Sequence, residues 1–142
     1  MTDCNKIFLD TAPLIYFLDE ASLYHNTVKK IFSSLFTGSN SFILSTITCM
    51  EYLVLPYRAG DQAAVQALWD FVTACNIQIV SINQDVAIQA AKIRAEHTYF
   101  KAMDALQLSA AQYHNCQLFL TNDKQLKQFN KLDCIVVAEW EK

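Results

Sequence analysis

The chain has 142 residues, of which 53% are hydrophobic and 18% charged. This composition is typical of one globular domain and excludes an intrinsically disordered chain, and no apolar run reaches the roughly 20 residues of a membrane-spanning helix. The net charge of −3 argues only weakly against a nucleic-acid partner, because four acids neutralised as metal ligands would leave 11 basic against 10 acidic residues.

The first predicted element is a short apolar run, residues 7–9, that ends on the carboxylate of Asp10 and indicates a buried strand. A short helix over 12–18 follows, with Pro13 in the first turn, where proline is tolerated. The next helix, 24–36, has apolar residues on one face and Lys and Ser on the other. The chain therefore opens with a strand and two helices.

The remaining chain continues this alternation of strands and helices. Separated strands need crossover connections, so we predict one α/β domain over 1–142, with about five parallel strands and helices on both faces. Right-handed crossovers place all strand carboxyl ends at one edge of the sheet, where ligands bind. The later elements are a strand at 42–45, a helix ended by Gly60, a helix capped by Asp61 and ending near 75, a strand at 77–82, a helix starting at Asn83 or Asp85, a helix over 102–114, a strand at 118–121, a short helix over 124–129 and a strand at 135–137.

The five cysteines are widely spaced, and no two form a Cys-x-x-Cys pair. An odd number without such pairs indicates neither a disulfide framework nor a zinc site. The N-terminus also lacks the basic and apolar segments of a signal peptide, so we predict a soluble cytoplasmic protein with reduced thiols that pack as small hydrophobes. These cysteines are Cys4, Cys49, Cys75, Cys116 and Cys134.

Four acids stand where this topology would bring them to the same edge. Like charges repel strongly at low dielectric, so a cluster of carboxylates needs a cation or protons. Oxygen ligands suit Mg²⁺ or Mn²⁺, which could activate water and neutralise the leaving oxygen of a phosphodiester. The four acids are Asp10, Glu51, Asp104 and Asp123.

Each of these acids also has a purely structural interpretation. Asp10 and Asp123 each precede a predicted helix and can cap it. Asp104 lies in a first helical turn, where the helix dipole favours any acid. Thr48 and Glu51 have the spacing of a capping box, with Thr48 as the cap. The hypothesis of a metal site therefore depends on the joint placement of the four acids.

Four motifs in this order resemble those of the PIN domain family, and within it the VapC-type toxins of bacterial toxin-antitoxin pairs. One departure is Asn115, which stands near the position of the usual glycine before strand four. Asparagine also adopts the left-handed conformation, so the turn is preserved. The motifs are Phe8-Leu9-Asp10-Thr11, residues 45–53, Asp104-Ala105 with Ser109-Ala110-Ala111, and Leu120-Thr121-Asn122-Asp123.

The resemblance implies a five-stranded parallel sheet and an endoribonuclease that uses Mg²⁺ or Mn²⁺. It also implies a homodimer and a small antitoxin as the partner protein. The hydroxyls of Thr11 and Thr121 match supporting positions, where they could orient a carboxylate. The implied metal ligands and catalytic residues are Asp10, Glu51, Asp104 and Asp123.

Four basic side chains are candidates for contacts with RNA phosphates. Two rival functions remain open: a phosphoryl-transfer enzyme with Asp10 as the nucleophile, and a non-catalytic PIN-like binding module. Ala12 stands where the first rival would favour a second acid, and the presence of all four acids gives the second little support. The basic candidates are Arg58, Arg94, Lys101 and Lys124.

Overall fold

The structure, a computed structural model, describes residues 5–140, so Cys4 lies outside the described residues. Five parallel strands form one sheet, and β1 lies at its centre in the order β3-β2-β1-β4-β5. The predicted α/β fold with a five-stranded parallel sheet is confirmed. The strands are β1 Lys6–Leu9, β2 Ser41–Ser45, β3 Gln78–Val80, β4 Leu118–Thr121 and β5 Asp133–Val136.

Six α-helices connect the strands, with two short 3₁₀ helices near the C-terminal end. Gly60 ends α3 in the left-handed conformation (φ 63°), and Asp61 and Asn83 cap α4 and α5 through their side chains. Within residues 5–140, none of the helices has the length and apolar character needed to cross a membrane. The helices are α1 Thr11–Leu18, α2 His25–Leu35, α3 Thr46–Ala59, α4 Gln62–Ala74, α5 Gln84–Glu96 and α6 Ala102–Tyr113, followed by the 3₁₀ helices Lys124–Gln128 and Val137–Glu139.

Alternate residues of β1 face the two sides of the sheet, as expected for a strand. Ile7 and Leu9 pack with the helices α1 to α4. Phe8 points to the opposite side, where its ring stacks on Phe119 with centroids 5.3 Å apart, beneath α5 and α6. Because both sides of the sheet are covered by helices, all three residues are fully buried.

Two strands differ from the sequence prediction by more than one residue at an end. β3 is shorter than predicted at 77–82, because the N–H of Ile77 bonds back to Val72 at the end of α4 and Asn83 already caps α5. β5 begins at Asp133 rather than at 135, and Val137 enters the following 3₁₀ helix. The turn before β4 is as predicted, since Asn115 has a positive φ of 59°.

The predicted capping box of Thr48 and Glu51 is wrong. The cap of α3 lies three residues earlier, where the Ser45 hydroxyl accepts hydrogen bonds from the N–H groups of Ile47 and Thr48. Thr48 is fully buried, and its hydroxyl donates to the carbonyl of Leu9 over 3.4 Å. Glu51 is thereby free of a capping role.

The described cysteines are free thiols, as predicted. Burial raises the pKa of Cys116 to about 12 and that of Cys134 to about 11. Burial also raises the pKa values of the Cys49 and Cys75 thiols. Because the thiolate is the nucleophile, these cysteines are poorly suited to covalent chemistry.

Candidate active site

The carboxyl ends of the neighbouring strands β1 and β4 position two of the predicted acids. Asp10 follows β1 directly, and its backbone N–H donates to the carbonyl of Leu120 in β4 over 2.9 Å. Asp123 lies two residues beyond the end of β4. Glu51 belongs to α3, which follows β2, and Asp104 lies in the first turn of α6.

Asp10 is held by hydrogen-bond donors from three parts of the chain. Its Oδ1 accepts from the N–H of Thr11 at 2.9 Å and, at the long distance of 3.5 Å, from Nε2 of Gln107. Its Oδ2 accepts from the hydroxyl of Thr121 at 2.8 Å. The bond from Thr11 makes Asp10 the cap of α1, so the structural interpretation of Asp10 is correct. The capping role fixes the carboxylate at the edge of the sheet.

The carboxyl group of Asp10 has a pKa raised from 3.8 to about 6. Burial is the main cause, while the hydrogen bonds from Thr121 and Thr11 oppose it. The charges of Asp104 and Glu51 raise the pKa further. The protein thus holds an acid in a place where ionisation is costly without a compensating cation.

The other acids influence one another in the same region. The pKa of Asp104 is raised by burial and then by the charge of Asp123, with Lys101 opposing and Glu51 adding to the effect. Glu51 accepts a hydrogen bond from the Thr11 hydroxyl at 2.6 Å. All four carboxylates are therefore linked by electrostatic interactions across this edge of the sheet.

Asp123 is anchored by its own backbone and by a capping contact. Its N–H donates to the Thr121 hydroxyl over 3.1 Å, and its side chain accepts from the N–H of Gln125 over 3.0 Å. The predicted cap of the short C-terminal helix is therefore present. Since Thr121 also donates to Asp10, one hydroxyl connects two of the acids.

The donor chemistry of this region fits a hard divalent cation, because the acids offer oxygen ligands and burial disfavours the bare charges of Asp10 and Asp104. Within the part of the chain that the structure describes, no group of three His, Cys, Asp or Glu side chains is arranged to hold a metal ion. The carboxylates nevertheless stand close enough to interact electrostatically.

The four basic candidates differ in their relation to the acids. Lys101 immediately precedes α6, and its charge acts on Asp104. Lys124 is exposed next to Asp123. Arg94 binds the loop before α6, because its Nε donates to the carbonyl of Phe100 over 3.1 Å. Arg58 is exposed in the last turn of α3, about two helical turns beyond Glu51.

A largely apolar groove of about 380 Å³ opens beside one of the acids. Helices α1, α3 and α4 form its walls, with Ile15 and Leu55 among the apolar side chains. Glu51 also lines it, and Asp19 and Asp61 add negative charge to the same groove. The region around Glu51 is therefore reachable from the helical side as well as from the edge of the sheet.

Sequence reasoning missed the side chain of Gln107. It is 1% exposed in α6, and it bonds to both Ser45 and Thr48 as well as to Asp10. The available signal was an amide at a helix position whose neighbours at helical spacing, such as Ala111, are apolar. An amide on the buried face of a helix needs polar partners, and here those partners belong to the site.

Comparison with known proteins agrees with this description. The sequence model of the PIN domain family matches residues 7–132. Among proteins with curated descriptions, none matches this sequence. Twenty-six solved chains match it, and three of these are described below.

VapBC2 from Rickettsia felis, solved bound to a DNA fragment from their promoter, is 16% identical with a TM-score of 0.76, over 92% of this chain and 98% of that chain. A toxin-antitoxin complex from Klebsiella pneumoniae is 23% identical with a TM-score of 0.71, over 96% and 99%. Mycobacterium tuberculosis VapC20, a sarcin-ricin loop cleaving toxin, is 20% identical with a TM-score of 0.70, over 87% and 95%. Identities this low show a shared fold.

Proposed function

The chain belongs to the PIN domain family, and from this premise we propose that it is a metal-dependent endoribonuclease, the toxin of a toxin-antitoxin pair. The observation that carries the proposal is the electrostatically linked set of half-buried carboxylates at the carboxyl edge of the sheet. Burial raises the pKa of Asp10 to about 6, and the charges of Asp104 and Glu51 add to this, as is common for acids at functional sites. The acids are Asp10, Glu51, Asp104 and Asp123.

Mg²⁺ or Mn²⁺ is the cofactor that these carboxylates would hold. When bound, such an ion supplies Lewis-acid stabilisation of phosphate charge and lowers the pKa of water. The side chains of Thr11 and Thr121 support the site by donating to Glu51 and Asp10. These hydroxyls fix the rotamers of the two carboxylates and leave other lone pairs available.

The chain's own residues would bind and orient the RNA strand. Lys101 and Lys124 stand next to Asp104 and Asp123, so their ammonium groups can neutralise phosphates that approach the edge of the sheet. Arg94 and Arg58 lie farther along the surface and are the weaker candidates for this role. Because the acids repel phosphate, these lysines are needed to hold the strand near them.

The test incubates the purified protein with structured and unstructured RNAs in Mg²⁺, Mn²⁺ or EDTA. We expect cleavage that EDTA abolishes and that Asp10→Asn and Asp104→Asn each reduce on the order of 100-fold or more. Asp70→Asn, which changes an exposed acid of α4, is the matched control. Equal cleavage in EDTA, or by both site variants, would refute the proposal. A trapped phosphorylated Asp10 would instead support the phosphoryl-transfer rival.

We also propose a small antitoxin as the partner, a homodimer as the assembly and the cytoplasm as the location. The antitoxin is supported by the fold shared with proteins solved in toxin-antitoxin complexes. Co-expression with the product of an adjacent short reading frame, followed by co-purification and an RNA cleavage assay, tests this partner. Light scattering on the purified chain tests the homodimer.

A further inference from the structure

We propose that Gln107 positions Asp10, by presenting an amide N–H to the carboxylate in an orientation that two buried hydroxyls enforce. The inference rests on the proposed function, because it assigns Gln107 a role in the metal site. Gln107 lies in the middle of α6 and does not follow a strand, so it is outside the predicted set of acids and threonines. Its side chain meets Ser45 at the end of β2, Thr48 in α3 and Asp10 directly after β1.

The hydrogen-bond directions around Gln107 follow from its neighbours. The Ser45 oxygen already accepts from the N–H groups of Ile47 and Thr48, so its own proton is directed to Oε1 of Gln107 at 2.5 Å. This bond identifies the oxygen side of the amide. The nitrogen, Nε2, must therefore face the other way.

The second hydroxyl confirms this orientation. Thr48 donates its proton to the carbonyl of Leu9, so its oxygen is an acceptor for Nε2 of Gln107 at 2.7 Å. One proton of Nε2 is used in this bond, and the other is directed towards Oδ1 of Asp10 at 3.5 Å. A flipped amide would place its oxygen against the Asp10 carboxylate and an N–H against the Ser45 hydroxyl, which already accepts two hydrogen bonds.

The contact between Gln107 and Asp10 is long and therefore weak on its own, so it acts together with the shorter bonds that hold the same carboxylate. Thr121 holds Oδ2 and the Thr11 N–H holds Oδ1 from the α1 side. Gln107 adds a donor from the α6 side, where no other described residue bonds Asp10. The carboxylate thus meets hydrogen-bond donors on two sides.

A neighbouring residue of the same helix shows what a purely structural contact looks like. Ser109 is as deeply buried as Gln107, and its hydroxyl donates to the carbonyl of Val86 in α5 over 2.7 Å. That bond joins two helices and makes no contact with Asp10. Ser109 is therefore the matched control for the loss of a buried polar contact in α6.

The experiment compares Gln107→Met with Ser109→Ala. Methionine fills a similar volume but cannot donate, so we expect Mn²⁺ binding, measured by isothermal titration calorimetry, to weaken about 10- to 100-fold. The rate of RNA cleavage should fall through kcat by a similar factor, with KM for RNA little changed. Ser109→Ala should lower the melting temperature but keep the Mn²⁺ dissociation constant within about twofold of the wild-type value.

A measurement on the metal-free protein separates this inference from the proposed nuclease function. The side-chain amide protons of Gln107 should shift in the NMR spectrum of Asp10→Asn and stay unchanged in Asp70→Asn. Unshifted protons, or equal Mn²⁺ affinities in Gln107→Met and Ser109→Ala, would overturn the inference. A wild-type protein that neither binds Mn²⁺ nor cleaves RNA would overturn the proposed function and, with it, the role of Gln107 in a metal site.

Discussion

Replacing Asp10 by asparagine should stabilise the metal-free protein at pH 8, although it removes a proposed ligand. Burial raises the pKa of Asp10 from 3.8 to about 6, so the ionised carboxyl is disfavoured in the folded state. This pKa difference corresponds to roughly 3 kcal/mol of stability lost at high pH. Asparagine carries no charge and escapes that loss, but it gives up a hydrogen bond worth about 1 kcal/mol. The expected net gain is about 2 kcal/mol.

The pH dependence follows from the sign of the pKa change. The pKa of Asp10 is higher in the folded than in the unfolded state, so protonation of Asp10 stabilises the folded protein. This stabilisation is fully present below pH 3.8 and is lost as the pH rises through about 6. The wild-type protein should therefore lose stability relative to Asp10→Asn between about pH 4 and pH 7. Near pH 4 the variant should be equal to the wild type or less stable.

Urea unfolding in EDTA at several pH values measures this difference. Asp70→Asn serves as the control, because Asp70 is exposed in α4 and its side chain accepts a hydrogen bond from the nearby Gln66. The difference in stability between Asp70→Asn and the wild type should change little with pH. A variant at Asp10 that is less stable than the wild type by the same amount at pH 4 and pH 8 would refute the reasoning.

Three further outcomes are expected. Mn²⁺ should raise the melting temperature of the wild-type protein and do so less for Asp10→Asn, and an absence of any metal effect on both proteins would contradict a shared site. Ser45→Ala should lower stability by about 2 kcal/mol in urea unfolding, because it removes the cap of α3 and a partner of Gln107; a loss below about 0.5 kcal/mol would contradict this role. Cys116 and Cys134, whose pKa values burial raises to about 12 and about 11, should react with a thiol reagent at pH 8 only after denaturation. Rapid labelling of the native protein at either cysteine would count against this expectation.

The sequence was sufficient to predict the fold because its signals are local. Element boundaries are marked by apolar runs, by the left-handed Gly60 and by the capping residue Asp61. Crossover connections then bring the carboxyl ends of all strands to one edge of the sheet. The position of Asp10 at the carboxyl end of β1 could be predicted for the same reason, whereas the central place of β1 in the sheet is seen only in the structure. That the acids act as metal ligands stays a prediction.

Other features depend on contacts between distant parts of the chain. Thr48 has the sequence spacing of a cap, but the tertiary contact to Leu9 and the competing cap at Ser45 determine its actual role. Gln107 lies 97 residues from Asp10 in sequence, and nothing local in α6 indicates this contact. Periodicity alone assigns such a residue to a helix face and leaves its partners unknown.

The pairing of β1 with a late strand determines when the acidic site is completed during synthesis. Asp10 is synthesised early, yet its hydroxyl donor Thr121 lies 111 residues later, on the strand that pairs directly with β1. A ribosome that has made only the first three strands has therefore produced a chain without a complete acidic site. If the protein does cleave RNA, the nascent chain cannot do so on its own ribosome until almost the whole chain has emerged and β4 has paired with β1.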